Sequence, residues 1–258
     1  LTVTEDDYQE VAADPRAAKY LRPYRQATEM LYGKDRWCLW LVDANPQDIH
    51  DSQILQRRLA AVAAERAASK TASVREQASS PALFTQRRQP STRYLAMPEV
   101  SSENRDYIPG RFYDPEVIAG NKLIVWPDAP LWLFGYLQSA AFTQWVKAYA
   151  GRLKSDPSIS PGLTYFTFPF VIPTGRIRER IEAAAQSVLD TRAGHSGATL
   201  AALYDPLGMP PDLRLAHRNL DAAIDSALGL RGQVSAGRRL DALLKRYLTL
   251  AAAPPDTT

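Results

Sequence analysis

The sequence changes character near Pro173, and this change limits the possible folds more than any other feature does. After Pro173, apolar residues recur at helical spacing in three stretches, which begin near Thr174, Pro210 and Ser235. Each stretch starts with a residue type typical of a helix start, either a hydroxyl that can cap the first turn or a proline within it. The last third of the chain is therefore predicted to be a small, all-helical domain.

The first two thirds mix short apolar runs with helical patterns. Four apolar runs predict strands: Trp37–Val42, Arg93–Met97, Lys122–Trp126 and Thr164–Phe168. Two helices are predicted over about residues 48–69 and 135–149, with loop or frayed helix over 70–89. The expected fold is α+β: a mixed sheet with packed helices over residues 1–173, followed by the helical domain over 174–258. The tail Pro254–Thr258 is expected to be disordered.

Composition excludes several classes of protein. Of the 258 residues, 45% are hydrophobic and 23% charged, which is typical of a globular protein and excludes collagen-like or intrinsically disordered chains. Cys38 is the only cysteine, so a disulfide framework and cysteine-based zinc sites are excluded, and three scattered histidines predict no metal site. We expect a cytoplasmic protein. The uncharged stretch between Asp128 and Lys147 contains Pro130 and Gly135, and is not expected to span a membrane.

The sequence lacks the motifs of a self-contained enzyme. There is no Gly-rich phosphate loop, no HExxH and no nucleophile elbow. Asn45, Asp114 and Asp205 each precede a proline, but none is followed by the second proline and aromatic residue of an amino-methylating motif. No catalytic residue is predicted. Because the chain starts at Leu1 rather than Met, we expect either processing or a fragment of a longer protein.

Positive charge and hydroxyl groups are concentrated between Asp51 and Arg111. Ten Lys or Arg residues stand there against six Asp or Glu, alongside many Ser and Thr. Guanidinium groups and short hydroxyls are the usual partners of nucleic-acid phosphates, although a solvated loop region would have the same composition. The residues predicted to contact phosphates, including one from a second basic segment, are Lys70, Arg75, Arg87, Arg88, Arg93, Ser101, Ser102, Arg105, Arg111 and Arg152.

The second basic segment, Gly151–Asp156, places a cation and an anion two residues apart. In an extended segment Lys154 and Asp156 share one face. A donor beside an acceptor can read both bases of one pair in the major groove. The alternative is an ordinary surface ion pair.

Four segments occur in a recognisable order along the chain: Gln89–Leu95, Val100–Pro109, Gly151–Asp156 and Leu203–Pro211, the last followed by Ala216-His217 and Leu220-Asp221. Together they resemble the C-terminal part of MmeI-like (type IIL) restriction–modification proteins. Those proteins combine a nuclease, an adenine-N6 methyltransferase and a target recognition domain in one chain. The resemblance covers nearly the whole sequence, most clearly Trp37–Asp225.

The resemblance implies that residues 1–173 are the DNA target recognition domain and residues 174–258 the family's C-terminal domain. The methyltransferase, together with any endonuclease, would lie upstream in a parent protein that uses S-adenosylmethionine, and Mg²⁺ if a nuclease is present. The fragment itself would need no cofactor. Its expected partners are double-stranded DNA and the upstream methyltransferase domain, with no membrane.

The resemblance also implies which side chains read bases. Lys154 and Asp156 would specify a pair beside the methylated adenine, and the donor and acceptor pattern favours G on the strand that Lys154 reads. Glu99 and Asn121 would read an interior C·G pair. This chain departs from the family at Pro157, which stands where an aromatic is common, and at Phe166-Thr167, which stands where Asn-Asn is common.

Two hypotheses about function follow. The first is a sequence-specific DNA recognition module that presents the target adenine to a catalytic domain, which flips it. The second is a helical scaffold or subunit-interaction protein without nucleic-acid binding, whose basic face is only a solvated surface. Salt-dependent binding to short duplexes distinguishes the two. Independently of this choice, His217 is interpreted as a helix-packing residue rather than a ligand.

Overall fold

The computed structural model describes residues 1–252, so the predicted tail Pro254–Thr258 lies outside the described residues. The strands, in chain order, are β1 (Thr2–Val3), β2 (Leu21–Arg25), β3 (Trp37–Leu39), β4 (Tyr94–Pro98), β5 (Arg111–Tyr113), β6 (Ile118–Ala119), β7 (Leu123–Pro127), β8 (Gly151–Leu153) and β9 (Asp156–Ser158). The helices are α1 (Glu5–Ala13), α2 (Pro15–Ala18), α3 (Ala27–Tyr32), α4 (Pro46–Asp51), α5 (Gln53–Ala67), α6 (Ala72–Arg75), α7 (Leu131–Leu137), α8 (Ala140–Tyr149), α9 (Gly175–Gly194), α10 (Leu200–Leu203), α11 (Pro211–Ala227) and α12 (Ala236–Ala252). Mixed sheets with packed helices confirm the predicted α+β class.

The chain forms two compact units. The first contains Leu1–Arg93 and Tyr113–Asn121, and the second contains Tyr94–Phe112 and the chain from Lys122 onward. The first unit is built on a four-stranded sheet in the order β1-β3-β2-β6, in which β3 is antiparallel to both neighbours and β2 is parallel to β6. Its apolar core lies between this sheet and α5, whose Leu55 and Leu59 are buried one turn apart.

The helix predicted over residues 48–69 is divided into α4 and α5 at Ser52. Ser52 is in an extended conformation, and its hydroxyl oxygen accepts a hydrogen bond from the Leu55 backbone N–H at 3.1 Å. This is an N-cap that starts α5. Residues 70–89, predicted as loop or frayed helix, contain only α6 and one 3₁₀ turn (Glu76–Ser79) among helical elements.

The second unit contains a three-stranded sheet in the order β5-β4-β7 and the β8–β9 pair. Strands β4 and β7 pair antiparallel from Tyr94 opposite Pro127 to Pro98 opposite Leu123. All five residues of β4 are buried, as its unbroken apolar sequence leads one to expect for a central strand. The strands predicted at Arg93–Met97 and Lys122–Trp126 are therefore confirmed.

The helix predicted over residues 135–149 is also two helices, because Gln138 and Ser139 interrupt it. The Gln138 side chain is fully buried and forms hydrogen bonds with the backbone of Ile108 and Gly110. The Ser139 hydroxyl caps α8 by accepting from the Phe142 N–H at 3.3 Å. Gly135 lets α7 approach α9 closely, since a Cβ at that position would lie 2.9 Å from Cγ2 of Ile181.

The strand predicted over Thr164–Phe168 is wrong. Residues Pro161–Tyr165 form a single π-helical turn, in which the Thr164 hydroxyl donates to the Ser160 carbonyl at 2.7 Å. The aromatic residues here have the spacing of a buried strand, but they pack against other aromatic rings from this irregular segment. Phe168 contacts the rings of Tyr136, Phe142, Trp145 and Phe170 at centroid distances of 4.7–6.1 Å.

The predicted helices of the last third are confirmed as α9, α11 and α12. Helix α9 packs against α7 and α11, and α12 packs against α8, so these helices share one compact unit with the β5-β4-β7 sheet. No helix in residues 1–252 is long and apolar enough to cross a membrane. Within the same residues, no group of three or more His, Cys, Asp or Glu is placed to hold a metal ion.

Candidate nucleic-acid interface

Lys154 and Asp156 lie on a β-hairpin rather than on one extended strand, which corrects the expectation drawn from their spacing. Strands β8 and β9 pair antiparallel, with Leu153 opposite Asp156, so Lys154 and Ser155 form a two-residue turn. Lys154 has φ +58°, a left-handed conformation that is uncommon for a residue with a side chain. It is exposed at the hairpin tip, whereas Asp156 is half-buried at the start of the returning strand.

Arg152 braces this hairpin. Its guanidinium donates to the Ser155 carbonyl at 2.9 Å and to the Lys147 carbonyl, near the end of α8, at 2.8 Å. These two bonds join the hairpin turn to the helix before it. A guanidinium has five N–H donors, so two intramolecular bonds leave donors for a phosphate.

The hairpin is also bonded to the segment that contains Glu99. The Ile159 N–H donates to the Glu99 carbonyl at 2.6 Å, and the Ser101 backbone N–H donates to the Pro157 carbonyl at 3.2 Å. Between these two bonds, Val100 and Ser158 form an isolated β-bridge. Two segments that lie far apart in sequence are thus joined by backbone hydrogen bonds. The structure brings the predicted base readers Glu99, Lys154 and Asp156 into one unit.

Glu99 and Asn121 differ in their surroundings. The Lys122 ammonium donates a hydrogen bond to Oε2 of Glu99 at 3.0 Å, and both side chains are partly exposed. Asn121 belongs to the first compact unit, where it is exposed and lines a cavity of about 320 Å³ together with Tyr24, Trp40 and Phe84. Because the Lys122 ammonium bonds to Oε2 of Glu99, Oε1 is the carboxylate oxygen that can accept from a base.

The predicted phosphate contacts differ in exposure. The long cationic side chains of the set between Lys70 and Arg111 are exposed except for Arg105, which is half-buried: Lys70, Arg75, Arg87, Arg88, Arg93, Arg105 and Arg111. Arg75 also donates to the Ser69 and Lys70 carbonyls, both at 2.9 Å, and so holds the chain just after α5. Arg93, Arg105 and Arg111 each have an intramolecular partner.

The two serines of the set have different environments. Ser102 is half-buried, and its hydroxyl oxygen accepts from the Asn104 N–H at 3.3 Å. Ser101 is only 2% exposed. A phosphate would reach the Ser101 hydroxyl only after this segment moved, so its burial does not favour the predicted contact.

Sequence reasoning missed a buried anchor next to these segments. The Tyr107 hydroxyl donates to Oδ2 of Asp221 at 2.9 Å, and Oδ1 of the same carboxylate accepts from the Ala140 N–H at 2.8 Å. Gln138 accepts from the Gly110 N–H and donates to the Ile108 carbonyl, both at 3.0 Å, and Arg192 donates to the Gly110 carbonyl at 2.7 Å. Tyr107–Gly110, the anchored loop, is thereby fixed to α9, to α11 and to the link between α7 and α8.

Burial dominates the protonation of this region. It raises the pKa of Asp221 to about 6 and raises that of Tyr107 as well. His217 is fully buried, its ring stacks on Tyr107 at a centroid distance of 4.0 Å, and its Nε2 lies 2.9 Å from the Tyr204 hydroxyl. Burial lowers the pKa of His217 to about 3. The interpretation of His217 as a packing residue is confirmed, because a neutral imidazole is enclosed by aromatic side chains.

Comparisons with known proteins agree on one family. The family model described as "MmeI, target recognition domain" matches residues 1–172, and "MmeI, C-terminal domain" matches residues 174–253. The chain is 36% identical over 233 residues to DNA methyltransferase A of Bacillus subtilis (strain 168), which covers 90% of this chain and 26% of that protein.

A solved structure gives the same result. The type IIL restriction-modification enzyme MmeI in complex with DNA superposes with a TM-score of 0.94 at 34% sequence identity, over 98% of this chain and 34% of the MmeI chain. The sequence therefore spans about a quarter to a third of the length of these two relatives.

Proposed function

The chain belongs to the MmeI family of target recognition domains, and from this premise we propose that it is the module that recognises a short double-stranded DNA sequence for an adenine-N6 methyltransferase. The observation that carries the proposal is the braced hairpin. It presents a cation and a carboxylate, Lys154 and Asp156, next to a segment containing a third candidate reader, Glu99. Donors and acceptors held on a β-ribbon are suited to reading base edges in the major groove.

The proposal extends to a parent protein. Both relatives are several times longer than this chain, and one of them is a DNA methyltransferase. We propose that an upstream methyltransferase domain of the same protein binds S-adenosylmethionine and methylates the adenine, with Mg²⁺ required only if a nuclease is also present. Residues 1–173 would recognise the site and residues 174–258 would form the C-terminal helical domain. Such a protein meets its DNA in the cytoplasm.

Specific roles follow for the side chains. Lys154 would donate to guanine O6 and N7, while Asp156 accepts from N4 of the paired cytosine. Glu99, assisted by Asn121, would accept from the cytosine N4 of an interior C·G pair. The exposed cations Lys70, Arg75, Arg87, Arg88, Arg93, Arg111 and Arg152, together with Arg105 and Ser102, would contact phosphates.

The test is fluorescence anisotropy of the 258-residue chain with short duplexes at two or more salt concentrations. We expect affinity that falls steeply with salt, because each neutralised phosphate releases counterions. Changing Arg87 and Arg88 together to Ala should weaken binding about equally on all duplexes and flatten the logarithmic salt slope by about one unit for each phosphate that is no longer neutralised. Lys245→Ala, which removes an exposed cation outside the predicted set, is the matched control.

Two results would count against the proposal. Absence of binding even at low salt would favour the alternative, a helical scaffold or subunit-interaction protein. An unchanged salt slope in the double Arg variant would show that these two side chains do not contact DNA.

A further inference from the structure

The carboxylate of Asp156 is held by a backbone group on the neighbouring loop. Oδ1 of Asp156 accepts a hydrogen bond from the Glu103 N–H at 3.1 Å. Among the hydrogen bonds of residues 1–252, the Asp156 carboxylate takes part in this one alone, through Oδ1, so Oδ2 is left for another partner. A bond between an N–H and an ionised carboxylate is stronger than a neutral one, so it restricts rotation of the side chain.

The Glu103 N–H is itself held in place. Residues Ser102–Arg105 form a turn closed by a hydrogen bond from the Arg105 N–H to the Ser102 carbonyl at 3.2 Å, with Glu103 at its second position. The bonds of Glu99 and Ser101 to the β9 segment fix the start of this turn against the hairpin. The donor and the carboxylate that it orients are therefore on one continuous backbone framework.

We infer that the Glu103 N–H is a positioning group for base recognition, which orients Asp156 so that Oδ2 faces the base. This inference rests on the proposed function. A charged group that reads a base must be held within a fraction of an ångström of its productive position. With Oδ1 bound, the side chain offers a single acceptor in a single orientation, which matches the single free N4 amine of a cytosine in the groove.

The backbone donor can be removed with a matched control. Proline lacks the N–H and is favoured at the second position of common turns, so Glu103→Pro suits this site, while Glu103→Ala removes only the side chain. In the full-length protein, we compare methylation rates on duplexes with G·C or A·T at the pair read by Lys154 and Asp156. Glu103→Pro should lower the G·C preference by roughly tenfold, a value within the range of one base contact. Glu103→Ala should keep the wild-type preference.

Thermal unfolding of each variant shows whether the proline perturbs the fold. Retention of the full preference by a folded Glu103→Pro variant would overturn the inference. So would an equal reduction of the preference in Glu103→Ala, because the side chain rather than the N–H would then be responsible.

A second substitution tests the inference without a proline. In Asp156→Asn the one carbonyl oxygen should accept from the Glu103 N–H, which places the amide NH₂ where Oδ2 was. The acceptor facing the base becomes a donor, so the preference should move toward A·T, whose thymine O4 accepts, further than it does in Asp156→Ala. Equal shifts in the Asn and Ala variants would overturn the inference. Wild-type protein that shows no sequence preference would overturn the proposed function, and with it this inference.

Discussion

The anchored loop and the hairpin turn lie in the same compact unit but are stabilised in opposite ways. Tyr107–Gly110 is fixed by side chains of α11, of α9 and of the link between α7 and α8, and its partners Asp221 and Gln138 are almost inaccessible to solvent. The hairpin turn at Lys154 is fixed by backbone pairing and by the Arg152 guanidinium, and its own side chains point to solvent. Side chains can change in the hairpin with little cost to the fold, whereas changes at the buried anchor affect folding first.

The largest expected effect comes from a buried ion pair in this helical region. Arg239 donates to both oxygens of Asp225 at 2.6 Å, and both side chains are about 8% exposed. Asp225→Ala should lower the free energy of unfolding by about 3–5 kcal/mol, because it leaves a buried guanidinium without its counterion. The measurement is urea unfolding followed by circular dichroism.

The helix that contains Arg239 provides the control for that experiment. Asp241→Ala breaks an exposed pair with Lys245 on α12 and should change the free energy of unfolding by less than about 1 kcal/mol. Equal effects of the two substitutions would contradict the distinction between buried anchors and exposed surface.

Sequence patterns located elements well where one periodicity dominated. The three C-terminal helices and strands β4 and β7 follow directly from apolar spacing. The patterns failed where a polar side chain broke an otherwise continuous run, at Ser52 and Gln138. The Ser52 hydroxyl donates to Asp14 and Gln138 bonds to Gly110, and both partners lie far along the chain. Thr164–Phe168 failed for a related reason: aromatic residues at close spacing can be buried from a π-helical turn as well as from a strand.

The sequence named candidate residues for the site, which stay a prediction, and it gave no geometry for them. Charge and residue order drew attention to Lys154 and Asp156, yet only the structure shows a hairpin with a left-handed Lys154. Nothing in the sequence marks the Glu103 N–H, since a backbone donor has no residue signature. Tyr107 and Asp221 both lie in segments that carry the family resemblance, and the signal that could have paired them is co-variation among homologues.

An intermediate effect is expected from acidification, through the buried imidazole of His217. Its folded pKa is about 3 and its unfolded value about 6.5, so between these pH values the unfolded chain binds a proton that the folded chain does not. This contribution to stability is complete above pH 6.5 and falls by about 1.4 kcal/mol per pH unit on acidification. The raised pKa of Asp221 acts in the opposite direction between about pH 4 and 6.

The variant His217→Gln isolates this contribution. Glutamine can still pair with Tyr204 but does not titrate, so between about pH 7 and pH 4.5 it should lose about 2–3 kcal/mol less stability than the wild type. Urea unfolding at a series of pH values measures both curves. Parallel curves would contradict a neutral, buried His217.

The smallest expected effect on stability, and the sharpest effect on specificity, comes from exchanging the charges of the hairpin. Lys154→Glu together with Asp156→Arg swaps donor and acceptor, so the preferred pair should invert from G·C toward C·G, with about 1–3 kcal/mol of discrimination against the wrong pair. Each single change should mostly abolish methylation, because it leaves one repelled or unpaired group in the groove. The free energy of unfolding should fall by only about 1–2 kcal/mol, since Lys154 is exposed and the half-buried Asp156 loses one hydrogen bond, from the Glu103 N–H.

The exchange also removes the carboxylate that accepts from the Glu103 N–H, and it brings Arg at position 156 close to Glu103. Because a guanidinium cannot accept from the Glu103 N–H, that bond does not orient the introduced side chain, and we expect the exchanged protein to methylate its new site more slowly than the wild type methylates its own. Sequencing the methylated sites of the full-length protein measures both the inversion and its efficiency. An unchanged methylation site would show that Lys154 and Asp156 form only a surface pair, and the hairpin would then lose its proposed role as the reader of this base pair.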